Sequence, residues 1–115
     1  ALYGYDGKCK NVHGHSYKLS VTVIGCPILD NNNVKFGMVI DFSFLKKIVK
    51  EENVNQFDHA TVFNGNTPHI DLANELKTRG HHVIVVDYQP TSENMVIDFA
   101  KKIKRRLPQN INLFS

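Results

Sequence analysis

Cys9-Lys10-Asn11-Val12-His13-Gly14-His15-Ser16-Tyr17 is the stretch that decides the fold, because it carries a thiol and two imidazoles into the clearest strand pattern of the chain. From His13 to Val23, every second residue is apolar, aromatic or imidazole-bearing, and the residues between them are mostly polar. This alternation predicts a half-buried strand over residues 16–25. His13 and His15 come just before this strand and continue the same alternation, so they would point to one face. They would lie roughly 6.5–7 Å apart, close enough for both to bind one metal ion.

Two interpretations of this histidine pair stay open on spacing alone. Histidines at the start of a strand are more often ordinary polar residues than metal ligands. Cys9 lies four residues before His13 and could reach the same space. However, structural zinc sites use four protein ligands, usually in two paired clusters, and this spacing does not provide them. A metal held here would therefore occupy an open, catalytic type of site.

Length and composition set broad limits on the class of protein. The 115 residues suggest a single domain, and 42% hydrophobic and 22% charged residues are ordinary for a globular chain. The longest apolar runs fall well short of the ~20 residues of a membrane span, so we expect no membrane segment. Two cysteines cannot form a disulfide framework, which favours the reducing cytoplasm. The net charge of +3 is mild, and a basic cluster on a predicted helix favours a solvated face over nucleic-acid binding: Lys101, Lys102, Lys104, Arg105 and Arg106.

The chain in order predicts an α+β fold with helices packed on one face of an antiparallel sheet. The first strand would form a hairpin with residues 34–40 across an Asn-rich turn, and Cys26 at its exit would be a packing residue. Capping and breaking residues predict three helices: one after Asp41, one from Thr67-Pro68 to Gly80, and one from Thr91 to Pro108. The remaining predictions are a loop over residues 51–55, strands over residues 82–88 and from Ile111, and surface positions for His69, His81 and His82.

Four motifs then occur in a specific order: the opening stretch, Gly37-Met38-Val39-Ile40-Asp41-Phe42, Phe57-Asp58-His59, and Pro90-Thr91-Ser92-Glu93-Asn94. Together they resemble the 6-pyruvoyl-tetrahydropterin synthase family over most of the chain. The gap of three residues between Cys9 and His13 is similar to the bacterial branch, the 6-carboxy-tetrahydropterin synthases of queuosine biosynthesis.

The resemblance implies a tunnelling fold, in which subunits join their sheets into a barrel, commonly a homo-hexamer. It implies a zinc-dependent lyase that converts 7,8-dihydroneopterin triphosphate to 6-carboxy-tetrahydropterin and releases triphosphate and acetaldehyde. His13 and His15 would bind Zn²⁺ and Cys9 would be the catalytic base. Asp58 and His59 would be a catalytic pair delivered from a neighbouring subunit, and Thr91 and Ser92 would lie near the pterin. No nucleic-acid or membrane partner is implied.

Two departures from the family pattern lead to an expectation about the ends of the chain. The family has a third zinc histidine upstream of Cys9 and a pterin-anchoring glutamate on its last strand, and neither occurs here. We therefore expect residues 1–115 to be a single synthase-like domain that lacks its N-terminal and C-terminal strand portions.

Three other functions remain open at this stage. The chain could be a 6-pyruvoyl-tetrahydropterin synthase, which eliminates triphosphate without releasing acetaldehyde. It could be a non-catalytic pterin-binding member of the fold, or a structural module without a ligand.

Overall fold

The computed structural model describes residues 1–115, which divide into two structural units. The first unit contains residues 1–17 and 56–97, and the second contains residues 18–55 and 98–115. The strands are β1 (Val23–Gly25), β2 (Thr61–Asn64), β3 (Val83–Val86) and β4 (Ile111–Leu113). The helices are α1 (Phe42–Val49), α2 (Asn55–Phe57), α3 (His69–Thr78) and α4 (Ser92–Arg106), with a 3₁₀ turn at Lys8–Lys10 and a π-helical turn at Lys50–Val54.

The first unit is built on a parallel strand pair covered by a helix. β2 and β3 pair in parallel from Thr61↔Val83 to Asn64↔Val86, and α3 connects them. Parallel neighbours need such a crossover, because a tight hairpin can only join antiparallel strands. Phe63, Ala73 and Val83 form the buried core of this unit. The predicted mixture of helices and strands is confirmed, but the expectation of an antiparallel sheet was wrong for this pair of strands.

The predicted ends of α3 and α4 are confirmed. Thr67 Oγ1 accepts a hydrogen bond from the His69 N–H at 3.2 Å, which satisfies one free donor of the first turn of α3. Gly80 follows α3 with φ of +87°, a backbone conformation that glycine adopts at little cost. Thr91 Oγ1 accepts from the Asn94 N–H at 3.2 Å at the start of α4. These boundaries were predictable because each depends on residues within one turn of the helix.

The second unit contains an antiparallel pair between the chain's first and last strands. β1 pairs with β4 from Val23↔Leu113 to Gly25↔Ile111. Residues 34–40 form no strand, so the predicted hairpin was wrong. Successive turns use the backbone donors there: the N–H groups of Asn33, Phe36 and Met38 bond to carbonyls three residues earlier. Only two backbone hydrogen bonds link this segment to Ile28.

The helix after Asp41 is longer than predicted. Asp41 caps α1 by accepting from the Ser43 N–H at 2.9 Å, as predicted. The chain then remains helical through the π turn and α2, so the loop predicted over residues 51–55 was wrong. Asn53 in the π turn is 1% exposed, and neither polar atom of its side chain has a hydrogen-bond partner. Cys26 is exposed, which contradicts the prediction that it packs in the core.

No helix is long and apolar enough to cross a membrane. The buried aliphatic residues of the second unit, Ile48, Ile103 and Ile111, come from α1, α4 and β4.

A three-residue ion cluster links the π turn to the end of α4. Arg106 Nη1 lies 2.7 Å from Glu51 Oε2 and 3.2 Å from Glu52 Oε1. The hydrogen bond from Arg106 is the main cause that lowers the pKa of Glu51 below its ordinary value of 4.5. A carboxyl whose pKa is lower in the folded state stabilises the protein above the unfolded pKa, and this contribution is lost as the pH falls through the folded pKa.

We therefore predict that Arg106→Gln lowers the melting temperature near neutral pH, and that the difference from the unmodified protein shrinks as the pH falls below 4.5. The effect should be small, since these side chains are partly exposed. Arg105→Gln makes the same charge change one residue away and serves as the control. A difference between Arg106→Gln and the unmodified protein that stays constant with pH would contradict the assignment.

Candidate active site

The two histidines of the opening stretch converge, although not on a strand. His13 Nε2 lies 2.8 Å from His15 Nε2, and the ring centroids are 4.7 Å apart with the planes at 80°. Residues 11–18 are exposed and belong to no strand ladder, so the strand predicted over residues 16–25 is present only as β1. The predicted convergence of the two imidazoles is therefore produced by local backbone geometry and not by a sheet.

A backbone contact fixes the tautomer of His13. His13 Nδ1 lies 2.6 Å from the Asn11 carbonyl oxygen, which can only accept, so Nδ1 carries the proton. The Nε2 lone pair of neutral His13 then faces His15, and the 2.8 Å contact corresponds to a hydrogen bond donated by His15 Nε2. Two imidazoles on one tetrahedral zinc ion would have their nitrogens about 3.3 Å apart. The pair therefore fits two zinc positions after a small opening, and the Asn11 carbonyl is the partner that a metal-binding histidine usually has.

Cys9 lies beside this pair in sequence but is not grouped with it as a metal ligand. It is a half-buried free thiol in the 3₁₀ turn, and its carbonyl accepts from the Leu2 N–H at 2.9 Å. No group of three or more His, Cys, Asp or Glu side chains is arranged to hold a metal ion. The geometry therefore brings together two imidazoles, with a thiol held separately on a closed loop.

Asp58 and His59 form an exposed pair in a turn. Asp58 Oδ1 lies 2.7 Å from His59 Nδ1, and the Ala60 N–H bonds back to the Phe57 carbonyl at 3.1 Å. His59 has φ of +55° and its side chain is 93% exposed. A left-handed backbone is costly for a residue other than glycine, and an exposed hydrogen bond between two side chains returns little stability. An arrangement that is costly locally and presents an oriented imidazole is typical of a functional site.

Thr91 and Ser92 differ in what their hydroxyl groups are free to do. The Thr91 hydroxyl oxygen already accepts from the Asn94 N–H, and the Thr91 N–H donates to the Gln89 carbonyl at 2.8 Å. Ser92 is exposed at the first turn of α4. Thr91 therefore fixes the turn before α4, and Ser92, the first residue of α4, presents a hydroxyl group at the surface.

The register of β2 and β3 separates the candidate residues into two groups. Because the strands are parallel, residues just before β2 and residues just after β3 lie at opposite edges of the pair. Asp58 and His59 precede β2, whereas Thr91 and Ser92 follow β3. A four-residue strand spans on the order of 10 Å, and this length separates the points at which the two segments join the strand pair.

The Cys9 segment lies on the Thr91 side of this strand pair. The Gln89 side chain donates to the Tyr3 carbonyl at 3.2 Å, and the Tyr3 ring packs edge-on against His69 with centroids 5.1 Å apart. His69 opens α3 and therefore follows the carboxyl end of β2. Residues 2–9 and the turn before α4 thus share one edge, and the Asp58–His59 pair lies at the other.

Comparison with known proteins agrees with this set of motifs. The model of the family described as 6-pyruvoyl tetrahydropterin synthase matches residues 1–115. The chain belongs to this family.

Several curated members of the family carry one name. The protein named 6-carboxy-5,6,7,8-tetrahydropterin synthase in Haemophilus influenzae is 36% identical over 104 residues, covering 90% of this chain and 72% of its own length. The protein of the same name in Rickettsia typhi is 31% identical over 113 residues, covering 98% of this chain and 78% of its own length. A protein named as a probable member in Halobacterium salinarum is 29% identical over 114 residues, which are 99% of this chain and 68% of its own. No solved structure matches.

No role was assigned from the sequence to three residues of this synthase family member: His69, Gln89 and Asn94. His69, predicted to be a surface residue, packs against the rings of Tyr3 and Phe63, and its Nδ1 is buried without a partner. Gln89 and Asn94 bond across the turn before α4. The only signal in the sequence was local: Asn94 lies three residues after the capping Thr91. His81 and His82 are exposed, as predicted.

Proposed function

We propose that this protein is a 6-carboxy-tetrahydropterin synthase of queuosine biosynthesis. It would convert 7,8-dihydroneopterin triphosphate to 6-carboxy-tetrahydropterin and release triphosphate and acetaldehyde. Support comes from the family match over residues 1–115 and from relatives of that name at 28–36% identity over most of the chain. The single geometric observation that carries the proposal is the convergence of His13 Nε2 and His15 Nε2 at 2.8 Å.

His13 and His15 would hold a zinc ion through their Nε2 atoms. When bound, zinc would supply Lewis-acid chemistry, binding hydroxyls of the substrate side chain and making the adjacent C–H more acidic. The Asn11 carbonyl keeps the proton of His13 on Nδ1 and its ring in orientation. Both imidazoles are neutral ligands, so the ion would keep its full charge for the substrate.

The other candidate residues divide the proton transfers and the binding between them. The thiolate of Cys9 would accept a proton from the substrate carbon as the general base. Asp58 orients His59 through Nδ1, which leaves His59 Nε2 to carry a second proton. Thr91 and Ser92 would bind the pterin ring, with Thr91 fixing the turn and Ser92 providing a free hydroxyl.

The protein would work as a homo-oligomer, a hexamer in our proposal, in which subunits join their sheets into a barrel. The geometric support is that Asp58 and His59 lie at one edge of the β2–β3 pair, and Thr91 and the Cys9 segment at the other, so a neighbouring subunit would bring the two groups together. The two free thiols, Cys9 and Cys26, agree with a reducing cytoplasm as its location.

Incubation with 7,8-dihydroneopterin triphosphate tests the reaction. We expect triphosphate, acetaldehyde and the 6-carboxypterin, detected together by mass spectrometry. Cys9→Ala should lower turnover by on the order of 10²–10⁴ and leave the zinc content unchanged, because a general base contributes about that much and binds no metal. Cys26→Ala is the matched control and should be fully active.

The same assay separates the alternatives. A 6-pyruvoyl product without acetaldehyde would identify the other synthase activity of the family. Binding of the pterin without turnover would indicate a non-catalytic member. Loss of zinc in Cys9→Ala would show that Cys9 is a ligand and would refute its role as the base.

Metal analysis tests the histidine pair independently of turnover. His13→Ala and His15→Ala should each lose most of the bound zinc, since each removes one of two converging donors. His81→Ala, which changes an exposed histidine outside the site, should keep it. Stoichiometric zinc in the His13→Ala/His15→Ala double variant would refute the assignment of these two histidines as zinc ligands.

Mixing two inactive variants tests whether subunits share a site. Cys9→Ala and His59→Ala proteins should each be inactive alone, and mixed oligomers should regain activity, because some sites then combine an intact Cys9 from one subunit with an intact His59 from another. Each variant mixed with itself is the control. Absence of recovery in oligomers shown by sedimentation to have exchanged subunits, or an active monomer, would contradict the proposal.

A further inference from the structure

We infer that Gln89 is a positioning residue that sets Cys9 relative to the pterin-binding turn. The inference rests on the proposed function, because it assumes that Cys9 and Thr91 serve one reaction. Two segments define it: the Cys9 loop, residues 2–9, and the Thr91 turn, residues 89–94. Gln89 immediately precedes the Pro90-Thr91 motif and belongs to none of the motifs that carry the family resemblance.

Gln89 uses its side chain for one segment and its backbone for the other. Its Nε2 donates to the carbonyl of Tyr3 at 3.2 Å, across 86 positions of sequence. Its own carbonyl accepts two hydrogen bonds, from the Thr91 N–H at 2.8 Å and from Asn94 Nδ2 at 3.0 Å. A single residue therefore fixes the Thr91 turn and binds the Cys9 loop to it.

The Cys9 loop transmits the position of Tyr3 to Cys9. Leu2, next to Tyr3, donates its N–H to the Cys9 carbonyl at 2.9 Å, and the Tyr5 N–H bonds back to Leu2 at 3.4 Å. The loop is thus closed on itself by hydrogen bonds of Leu2, the residue next to Tyr3. Two packing contacts also hold this segment: the Tyr3 ring lies edge-on against His69, and Ala1, next to Leu2, packs against the buried core. Such a contact restrains distance more than direction, so the directional hydrogen bond from Gln89 sets the orientation of the loop.

Orientation matters here because proton transfer is sensitive to small errors of placement. A misplacement of about 1 Å in a catalytic constellation can cost ~10²-fold in rate. If the pterin is held at the Thr91 turn, the distance from Cys9 to the reacting carbon depends on how the Cys9 loop is docked on that turn. Losing the Gln89 bond should therefore affect turnover more than substrate binding.

Three substitutions at Gln89 distinguish this role from a purely structural one. Gln89→Met keeps the length of the side chain and removes the donor. Gln89→Glu replaces the donor with a carboxylate that repels the Tyr3 carbonyl. Gln89→Lys retains a donor and is the rescue variant. Gln109→Met is the matched control, because Gln109 is exposed and lies in the other structural unit.

The first measurement needs no assumption about the reaction. In a Cys26→Ser background Cys9 is the only thiol, and its alkylation by iodoacetamide reports how firmly the loop is held. We expect the rate to rise about threefold or more in Gln89→Met and Gln89→Glu, through local opening, and to remain near the original value in Gln89→Lys and Gln109→Met. An unchanged rate in Gln89→Met overturns the inference.

The second measurement separates turnover from binding. We expect kcat to fall about 10- to 100-fold in Gln89→Met with KM changed by less than about threefold, and to recover largely in Gln89→Lys. If the fall in kcat follows the fall in melting temperature across all variants, including the rescue variant, Gln89 has a structural role only and the inference is overturned. If the unmodified protein does not convert the pterin, the proposed function fails, and the alkylation rates still decide whether Gln89 holds the loop.

Discussion

The parallel pairing of β2 with β3 is the constraint on which the arrangement of the candidate site depends. Phe63 is completely buried between these strands and α3, so the pair cannot be shifted without exposing the core of its unit. Once the pairing is fixed, the turn that leads directly into β2 lies at one edge, and the residues that directly follow β3 leave from the other. This register places Asp58 and His59 at the entrance to β2, and Thr91 and Ser92 beyond the exit from β3. A purely antiparallel sheet, as the sequence had suggested, would have placed the ends of these two strands differently.

The candidate functional side chains lie on loops and turns, whereas the buried residues lie on helices and strands. His13, His15, Asp58 and His59 are all exposed, and short-range contacts position each pair: His13 bonds to the backbone two residues away, and His59 to its neighbour. Such contacts orient a side chain but do not hold its loop in place. The loops therefore depend on contacts with residues that are distant in sequence. At the Cys9 side these contacts are the hydrogen bond from Gln89 to Tyr3 and the packing of Tyr3 on His69.

What could be predicted from the sequence was set by the range of each interaction. The caps at Asp41, Thr67 and Thr91 and the stop at Gly80 involve neighbours within one helical turn, and all four are confirmed. Strand partners were not predictable in the same way. Residues 34–40 form local turns in place of the predicted hairpin, and β1 pairs with a strand about ninety residues later in the chain. The contact between His13 and His15 was anticipated from their spacing of two on a strand, but no strand forms there and local backbone geometry produces it. The docking of Tyr3 on Gln89 and His69 joins segments with no sequence signal in common.

Two local features lower the stability of the folded chain. In both places, stability does not explain why this type of residue is present. Asn53 is buried in the π turn with its amide unpaired, which costs about 1–3 kcal/mol relative to a satisfied group. His59 adopts a left-handed backbone at a position where glycine would avoid the strain, on the order of 1–3 kcal/mol, and the exposed bond to Asp58 recovers at most about 1 kcal/mol of it. For Asn53 we have no functional account. For His59, the turn presents an imidazole that Asp58 orients and that is 93% exposed, and this accessibility suits the proton transfer proposed for it.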